Sequence, residues 1–262
     1  MSRRPNPLPW VYRWRTNLIQ TPLFGLMTAI CACLALLVSL VDKKGYAQHR
    51  IARLWARGCI WVSASQLTVR GAENLRKYPV AVYASNHTSY MDTPVIFASL
   101  PVQFRILAKK ELWPIPFIGW YLNRSGQIPI DTANHHATLS SLGAAAKALR
   151  SGMPLFVFPE GGRTSNGALK PFLSGAAFLA IRAQVPLVPI ALSGVYDLLP
   201  IHTHHFFPCE LVMSVGEPIE TKGMTLRQID DLTAQLRQAI EALGCDQDID
   251  NKQDISTESA LV

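Results

Sequence analysis

The chain has 262 residues, 49% of them apolar and 16% charged, with a formal net charge of +7. That length supports one large domain with a real core, and the composition excludes a collagen-like, disulfide-scaffold or wholly disordered chain. A basic chain this apolar points to an anionic partner, either nucleic acid or lipid headgroups.

The charge sits mostly at the start. Residues 1–57 carry nine basic side chains against Asp42 alone, whereas residues 246–262 hold five acids against Lys252. No charge occurs from Thr16 to Val41, and Pro22–Val41 is dense in Leu, Ala, Ile and Val. Twenty such residues make about 30 Å of helix, the thickness of a bilayer core. Ser39-Leu40-Val41-Asp42 lacks the small-x-small pattern of a cleaved signal. Basic flanks on both sides leave the orientation open. A span, a re-entrant hairpin broken near Pro22 and Gly25 with both flanks on the cytosolic face, and a buried soluble helix all fit the run. Arg50–Ser63 interleaves Leu54, Trp55, Ile60 and Trp61 with Arg50, Arg53 and Arg57. It reads as a basic amphipathic helix with its tryptophans at headgroup depth, or as a helix packed on a globular core. Residues 1–63 are assigned as a membrane-anchoring arm on the cytoplasmic face. Because the cations flank a bilayer-length run and line no exposed aromatic stripe, no nucleic-acid partner is expected. The five cysteines have neither metal nor redox spacing and read as reduced thiols.

From Leu67 the texture alternates. Strands are predicted at Leu67–Arg70, Val80–Ala84, Gln103–Ala108, Gly126–Ile130, Leu155–Phe158 and Leu187–Leu192, with Leu211–Val215 as an edge strand. Helices are predicted from about Tyr90, over His136–Ser151, over Gly175–Ala183, and over Thr225–Leu243 with its apolar residues at helical spacing. The acidic residues 246–262 read as a disordered tail. The alternation argues for an α/β sandwich over 64–245, its sheet mostly parallel or mixed and flanked by helices.

Two segments carry chemistry. Asn86-His87-Thr88-Ser89-Tyr90-Met91-Asp92 lies where a strand's carboxyl end meets a helix, a favoured position for sites in such sheets. His87 and Asp92 are five residues apart, which on a regular helix separates their side chains by about 140°. They meet only if His87 lies in the loop and Asp92 on the first helical turn. Asp92 then orients the imidazole and leaves Nε2 basic, two of the three parts of a catalytic triad; without the pairing, Asp92 is an ordinary helix-start carboxylate. No elbow supplies a nucleophile, so a substrate hydroxyl would take that part. Phe158-Pro159-Glu160-Gly161-Gly162-Arg163-Thr164 follows another strand. Its glycines permit close approach to a ligand, and Arg163 offers a fork for phosphate. His202, His204 and His205 have no nearby carboxylate or thiolate, and no metal is expected. Trp113, Trp120 and Tyr121 suit either an acyl-groove rim or the core.

Asn86-His87-x4-Asp92 followed by Phe158-Pro159-Glu160-Gly161-x-Arg163 resembles the 1-acylglycerol-3-phosphate acyltransferase family. Ala108-Lys109-Lys110-Glu111-Leu112, Gly126-Gln127-Ile128-Pro129-Ile130-Asp131 and Val185-Pro186-Leu187-Val188-Pro189-Ile190 look like the intervening and final blocks. The resemblance implies acyl transfer from acyl-CoA or acyl-carrier protein to a lysophospholipid hydroxyl, without a cofactor, at a membrane. It implies that His87 is the general base and Asp92 its partner. Arg163 and Lys109 or Lys110 would hold the headgroup phosphate, Gly161 the close approach, and Glu160 the glycerol region. The second block ends Asp131-Thr132 where the family commonly has Asp-Arg, which leaves the headgroup open, an aminolipid included. A metal-dependent phosphoesterase using the histidines and a membrane-docked scaffold without activity are the rival readings.

Overall fold

The structure is a computed structural model that describes residues 10–42, 44–131 and 135–258. Arg3, Arg4 and Lys43 of the basic arm and Thr132 of the second block lie outside the described residues, as do the side chains of His135, His136 and Cys245.

Among the described residues seven strands form one sheet: β1 (Gln66–Arg70), β2 (Val82–Ser85), β3 (Arg105–Lys109), β4 (Ile128–Ile130), β5 (Leu155–Val157), β6 (Leu187–Ser193) and β7 (Glu210–Val215). Their order is β1-β7-β6-β2-β5-β3-β4. Neighbours run parallel except β6 with β7, so the sheet is mixed. The segment expected as an edge strand, β7, is instead enclosed between β1 and β6. Its residues 211–215 are buried, and short β1, with alternate residues exposed, takes the edge.

Helices cover both faces: α1 (Trp10–Arg15), α2 (Thr21–Val38), α3 (Tyr46–Val62), α4 (Ala72–Lys77), α5 (Asp92–Ser99), α6 (Ile118–Arg124), α7 (His135–Arg150), α8 (Gly175–Ala183), α9 (Val195–Leu198) and α10 (Ile229–Glu258). Successive strand side chains point to opposite faces. Tyr83 and Phe156 join Val95, Phe97 and Phe104 on the α3/α5 side. Val82, Ala84, Leu155 and Val157 join Leu149, Leu179 and Leu236 on the α7/α8/α10 side. Because both faces are covered, the central strands are unbroken apolar runs rather than alternating ones.

The N-terminal run does not break at Pro22 or Gly25. A π-helical turn, Thr16–Gln20, precedes Pro22, which then sits in the first turn of α2 where its missing N–H costs little. The chain reverses between α2 and α3, and Gly45 before α3 takes φ +73°. α3 then runs back along α2: Gln20 Nε2 donates to the Val62 carbonyl, Trp55 Nε1 to Thr28 Oγ1 and Gln48 Nε2 to the Ala35 carbonyl. Arg13–Val38 is a 26-residue helical run whose most apolar 18-residue window has a mean hydropathy of 2.2 and is little buried. At 1.5 Å per residue the run is about 39 Å long, enough to cross a bilayer core and consistent with membrane association. Leu26, Ile30, Leu34 and Leu37 form its exposed stripe.

α3 has two faces. Ala52, Ala56, Cys59 and Ile60 are buried in the core shared with α5, so the boundary expected at residue 63 follows an element of that core. Trp61 is 73% exposed, but Trp55, expected at headgroup depth, packs edge-on against Phe24. At the other end α10 continues through Glu258. The acidic tail expected to be disordered is therefore helical in backbone to that residue. Leu232, Leu236 and Ile240 anchor the first half, and with no proline or later glycine each further residue adds a backbone bond to an existing nucleus.

Gly194, at φ +75°, turns β6 into α9, and a Cβ there would lie 2.1 Å from the Glu210 carbonyl oxygen. Gly194→Ala is expected to lower unfolding stability by more than about 2 kcal/mol, as read by chemical denaturation in detergent.

Candidate active site

Strands β2, β5, β3 and β4 lie side by side and parallel. Their carboxyl ends therefore open on one edge of the sheet, and the loops leaving it carry His87, Glu160–Arg163, Lys109–Lys110 and Asp131. Remote segments converge because parallel pairing aligns strand ends.

His87 lies in the loop after β2, and Asp92 is the first residue of α5. His87 Nδ1 stands 2.7 Å from Asp92 Oδ2. The same oxygen accepts the backbone N–H groups of Thr88 at 2.6 Å and Ser89 at 2.9 Å. Asp92 is fully buried, so its charge is balanced by these donors and by the helix N-terminus. Asn86, whose role the sequence left open, anchors the loop by giving and receiving a backbone bond with Leu192 of β6. The His87 ring stacks on Phe158, centroids 3.8 Å apart with 16° between planes. With Nδ1 committed to Asp92, Nε2 has no hydrogen-bond partner among the described residues. Burial pushes the imidazole pKa below its ordinary value, against the opposing pull of Asp92; Arg163 and Lys109 add to the downward push.

The second loop is tied to the first. Glu160 is buried and turned inward: Oε1 accepts the His87 N–H at 2.7 Å and Oε2 the Lys170 N–H at 2.9 Å. Glu160, expected beside the glycerol region of the acceptor, thus holds the His87 loop through both of its oxygens. Burial raises its pKa, with the two backbone donors pulling it down. Thr164 N–H closes the pair of loops onto the His87 carbonyl. Gly161 takes φ +67°, and a Cβ there would press on Leu173, so this turn requires glycine. Arg163 Nε donates to the Ser89 carbonyl at 3.0 Å, and the guanidinium lies 4.2 Å from the Tyr90 ring centroid. Cation–π stacking and this bond aim the fork while leaving its terminal nitrogens for an anion.

The two lysines part company. Lys110 ion-pairs with Asp131 beyond β4, whereas Lys109 sends its ammonium toward Gly162. Lys170, not singled out from the sequence, sends its own there too. Phe158 and Tyr90 lay inside the quoted motifs but read only as a strand end and a helix start. No sequence pattern marks stacking. Trp120 lines a groove of about 520 Å³ with Leu36, Leu37, Leu40, Asn123 and Arg124, whereas Tyr121 packs against the core. Among the described residues no three His, Cys, Asp or Glu side chains converge as a metal site.

Residues 66–193 match the family described as Acyltransferase. The chain is 33% identical over 153 residues to a chloroplast 1-acyl-sn-glycerol-3-phosphate acyltransferase of Brassica napus, covering 58% of this chain and 44% of that one. It is 30% identical over 210 residues to the alpha form of that enzyme from Homo sapiens, covering 80% of this chain and 74% of the human one. The chain belongs to the 1-acylglycerol-3-phosphate acyltransferase family. Its fold is also that of the crystallised 1-acyl-sn-glycerophosphate acyltransferase of Thermotoga maritima, with a TM-score of 0.75 at 23% identity over 88% of this chain and 95% of that one. The chain spans less than half the length of the chloroplast relatives it matches. The His87-x4-Asp92 and Glu160-Gly161-x-Arg163 segments that carry the resemblance lie on two loops bound together through Glu160 and Thr164.

Glu160→Ala leaves two buried N–H groups without their acceptor. It is expected to cost about 1–3 kcal/mol of stability, with Glu160→Gln recovering part of the loss, as read by thermal unfolding of the full chain in detergent.

Proposed function

We propose that the chain transfers an acyl group from a thioester, acyl-CoA or acyl-carrier protein, to the free hydroxyl of 1-acylglycerol-3-phosphate, yielding phosphatidic acid. The observation that carries this reading is the buried His87–Asp92 pair. It holds one imidazole nitrogen and leaves the other for a substrate proton, beside cations suited to a phosphate.

Acyl transfer to an alcohol needs a base because a free hydroxyl is a weak nucleophile. His87 Nε2 takes the hydroxyl proton as the oxygen attacks the thioester carbonyl. Asp92 keeps Nδ1 protonated and stabilises the imidazolium that forms. The tetrahedral intermediate then collapses: the new ester C–O bond remains, the C–S bond breaks, and the imidazolium returns its proton to the departing thiolate. Every bond and proton in this sequence is handled by His87 and the two substrates, so the proposal calls for no cofactor. Arg163 and Lys109 hold the phosphate, which fixes the reacting hydroxyl relative to the base. The α2–α3 hairpin would dock the domain on the cytoplasmic face of a membrane, where both the lysophospholipid and its product reside.

The test is the purified full chain in mixed micelles with acyl-CoA and acyl-carrier protein donors, a panel of lysolipids, and product mass as readout. His87→Ala and Asp92→Asn are each expected to lower kcat about 10²–10⁴-fold; near-normal turnover by His87→Ala would sink the mechanism. The pH profile follows from the sign of the His87 shift. The neutral imidazole is the base, and burial lowers its pKa below the ordinary 6.5. The base thus stays competent below pH 6.5, and the acid limb of kcat/KM is expected below that value. An acid limb centred above it would contradict a buried, neutral base.

A further inference from the structure

A side chain at Gly162, within the Glu160–Arg163 loop, would be flanked by two cations. A Cβ built there would lie 3.7 Å from Lys109 Nζ and 3.9 Å from Lys170 Nζ. Lys109 arrives from the end of β3 and Lys170 from the segment after the loop, so the two ammonium groups face one point from different parts of the chain. Lys170 also approaches the Gly162 carbonyl oxygen at 3.4 Å. Its backbone is fixed on both sides: its N–H donates to Glu160 Oε2 at 2.9 Å, and its carbonyl accepts from Arg237 Nη1 of α10 at 2.7 Å. A segment so braced holds the base of a long side chain in place and leaves only the stem free. Arg163, one residue on, presents its fork on the same loop. The carboxylate within the loop, Glu160, spends both oxygens on backbone donors and feels the Lys170 charge from there.

We propose that Lys109, Lys170 and the bare backbone of Gly162 form a slot for the phosphate of the acceptor, with Lys170 as a specificity-determining residue that favours a doubly charged phosphomonoester. Phosphate oxygens accept from ammonium groups at about 2.8 Å, so one phosphate set over Gly162 meets both lysines, with Arg163 the next residue along the loop. A phosphomonoester presents three such oxygens and close to two negative charges near neutral pH. A phosphodiester has two and a single charge, and an aminolipid brings a cation against three others. A side chain at position 162 would occupy the point where the ammonium groups converge.

This inference rests on the proposed acyl transfer, and its test separates the two. The shared chemistry, a phosphate ester, is also present on acyl-CoA, so KM is measured for each substrate separately. Full-length wild type, Lys170→Gln, Lys170→Arg and Gly162→Thr are assayed with 1-acylglycerol-3-phosphate, a lysophosphatidylcholine and monoacylglycerol as acceptors. Acyl-CoA and acyl-carrier protein serve as donors. Lys170→Gln and Gly162→Thr are expected to raise KM for 1-acylglycerol-3-phosphate about five- to tenfold, with kcat within about twofold. Monoacylglycerol should be unaffected, and Lys170→Arg should restore most of the loss. An unchanged KM for the phosphorylated acceptor would overturn the proposal. So would an equal loss of kcat with every acceptor, the mark of a damaged loop, or a rise in KM for acyl-CoA alone. Wild type inactive on every acceptor would instead overturn the acyl-transfer reading itself.

Discussion

The carboxylate of Asp92 is the point on which the site hangs. It is fully buried at the start of α5, and one of its oxygens gathers the His87 ring and the N–H groups of Thr88 and Ser89. A buried charge is tolerated only when it is paired and hydrogen-bonded. The demand for donors is therefore what bends the loop back upon the helix and brings an imidazole five residues away into contact. The same bend turns the Ser89 carbonyl to Arg163 and lays Tyr90 under the guanidinium. One electrostatic requirement thus shapes both the base and the anion fork.

A second carboxylate does related work in another place. Glu160 joins the His87 loop to the loop after β5 and to the backbone at Lys170, spending both oxygens on main-chain donors. The site is thereby stiff where the proton is handled, and its flexible parts are lysine stems at the rim. Preorganisation of this kind lowers the reorganisation cost of acid–base chemistry. The N-terminal hairpin is joined to that framework through α3, which buries one face in the same core as α5. The exposed stripe of α2 is therefore held in fixed relation to the helix that carries Asp92.

Much of this was legible in the order of residues. The apolar runs of β2, β5 and β6 marked buried strands, and the Leu–Ile spacing after Thr225 marked a helix whose inner face is Leu232, Leu236 and Ile240. The His87–Asp92 spacing stated its own geometric condition, a loop histidine before a helix-start aspartate. The short helices α4, α6 and α9 escaped, because four to seven residues are too few to show a 3.6-residue period. Reading β7 as an edge failed because strand order comes from which faces and ends pair, and a local pattern records only whether a strand is buried. Lys110 and Lys109 were indistinguishable as neighbours in a row. Asp131 at the end of β4 takes the first, and the turn at Gly162 receives the second.

The sequence by itself determined which residue types were available and the local geometry they permit: a bilayer-length apolar run, strands buried on both faces, a His–Asp pair, and a glycine turn before an arginine. Hydrophobic period, charge count and backbone permissiveness are local properties, and they survive in one dimension. Only the tertiary structure decided the partners. It directed Glu160 inward, set Phe158 beneath His87, carried Lys170 to Gly162 and folded α3 into the core. Those outcomes depend on parallel strands aligning the ends of distant segments and on buried charges finding donors there, and neither is encoded within any single stretch of chain.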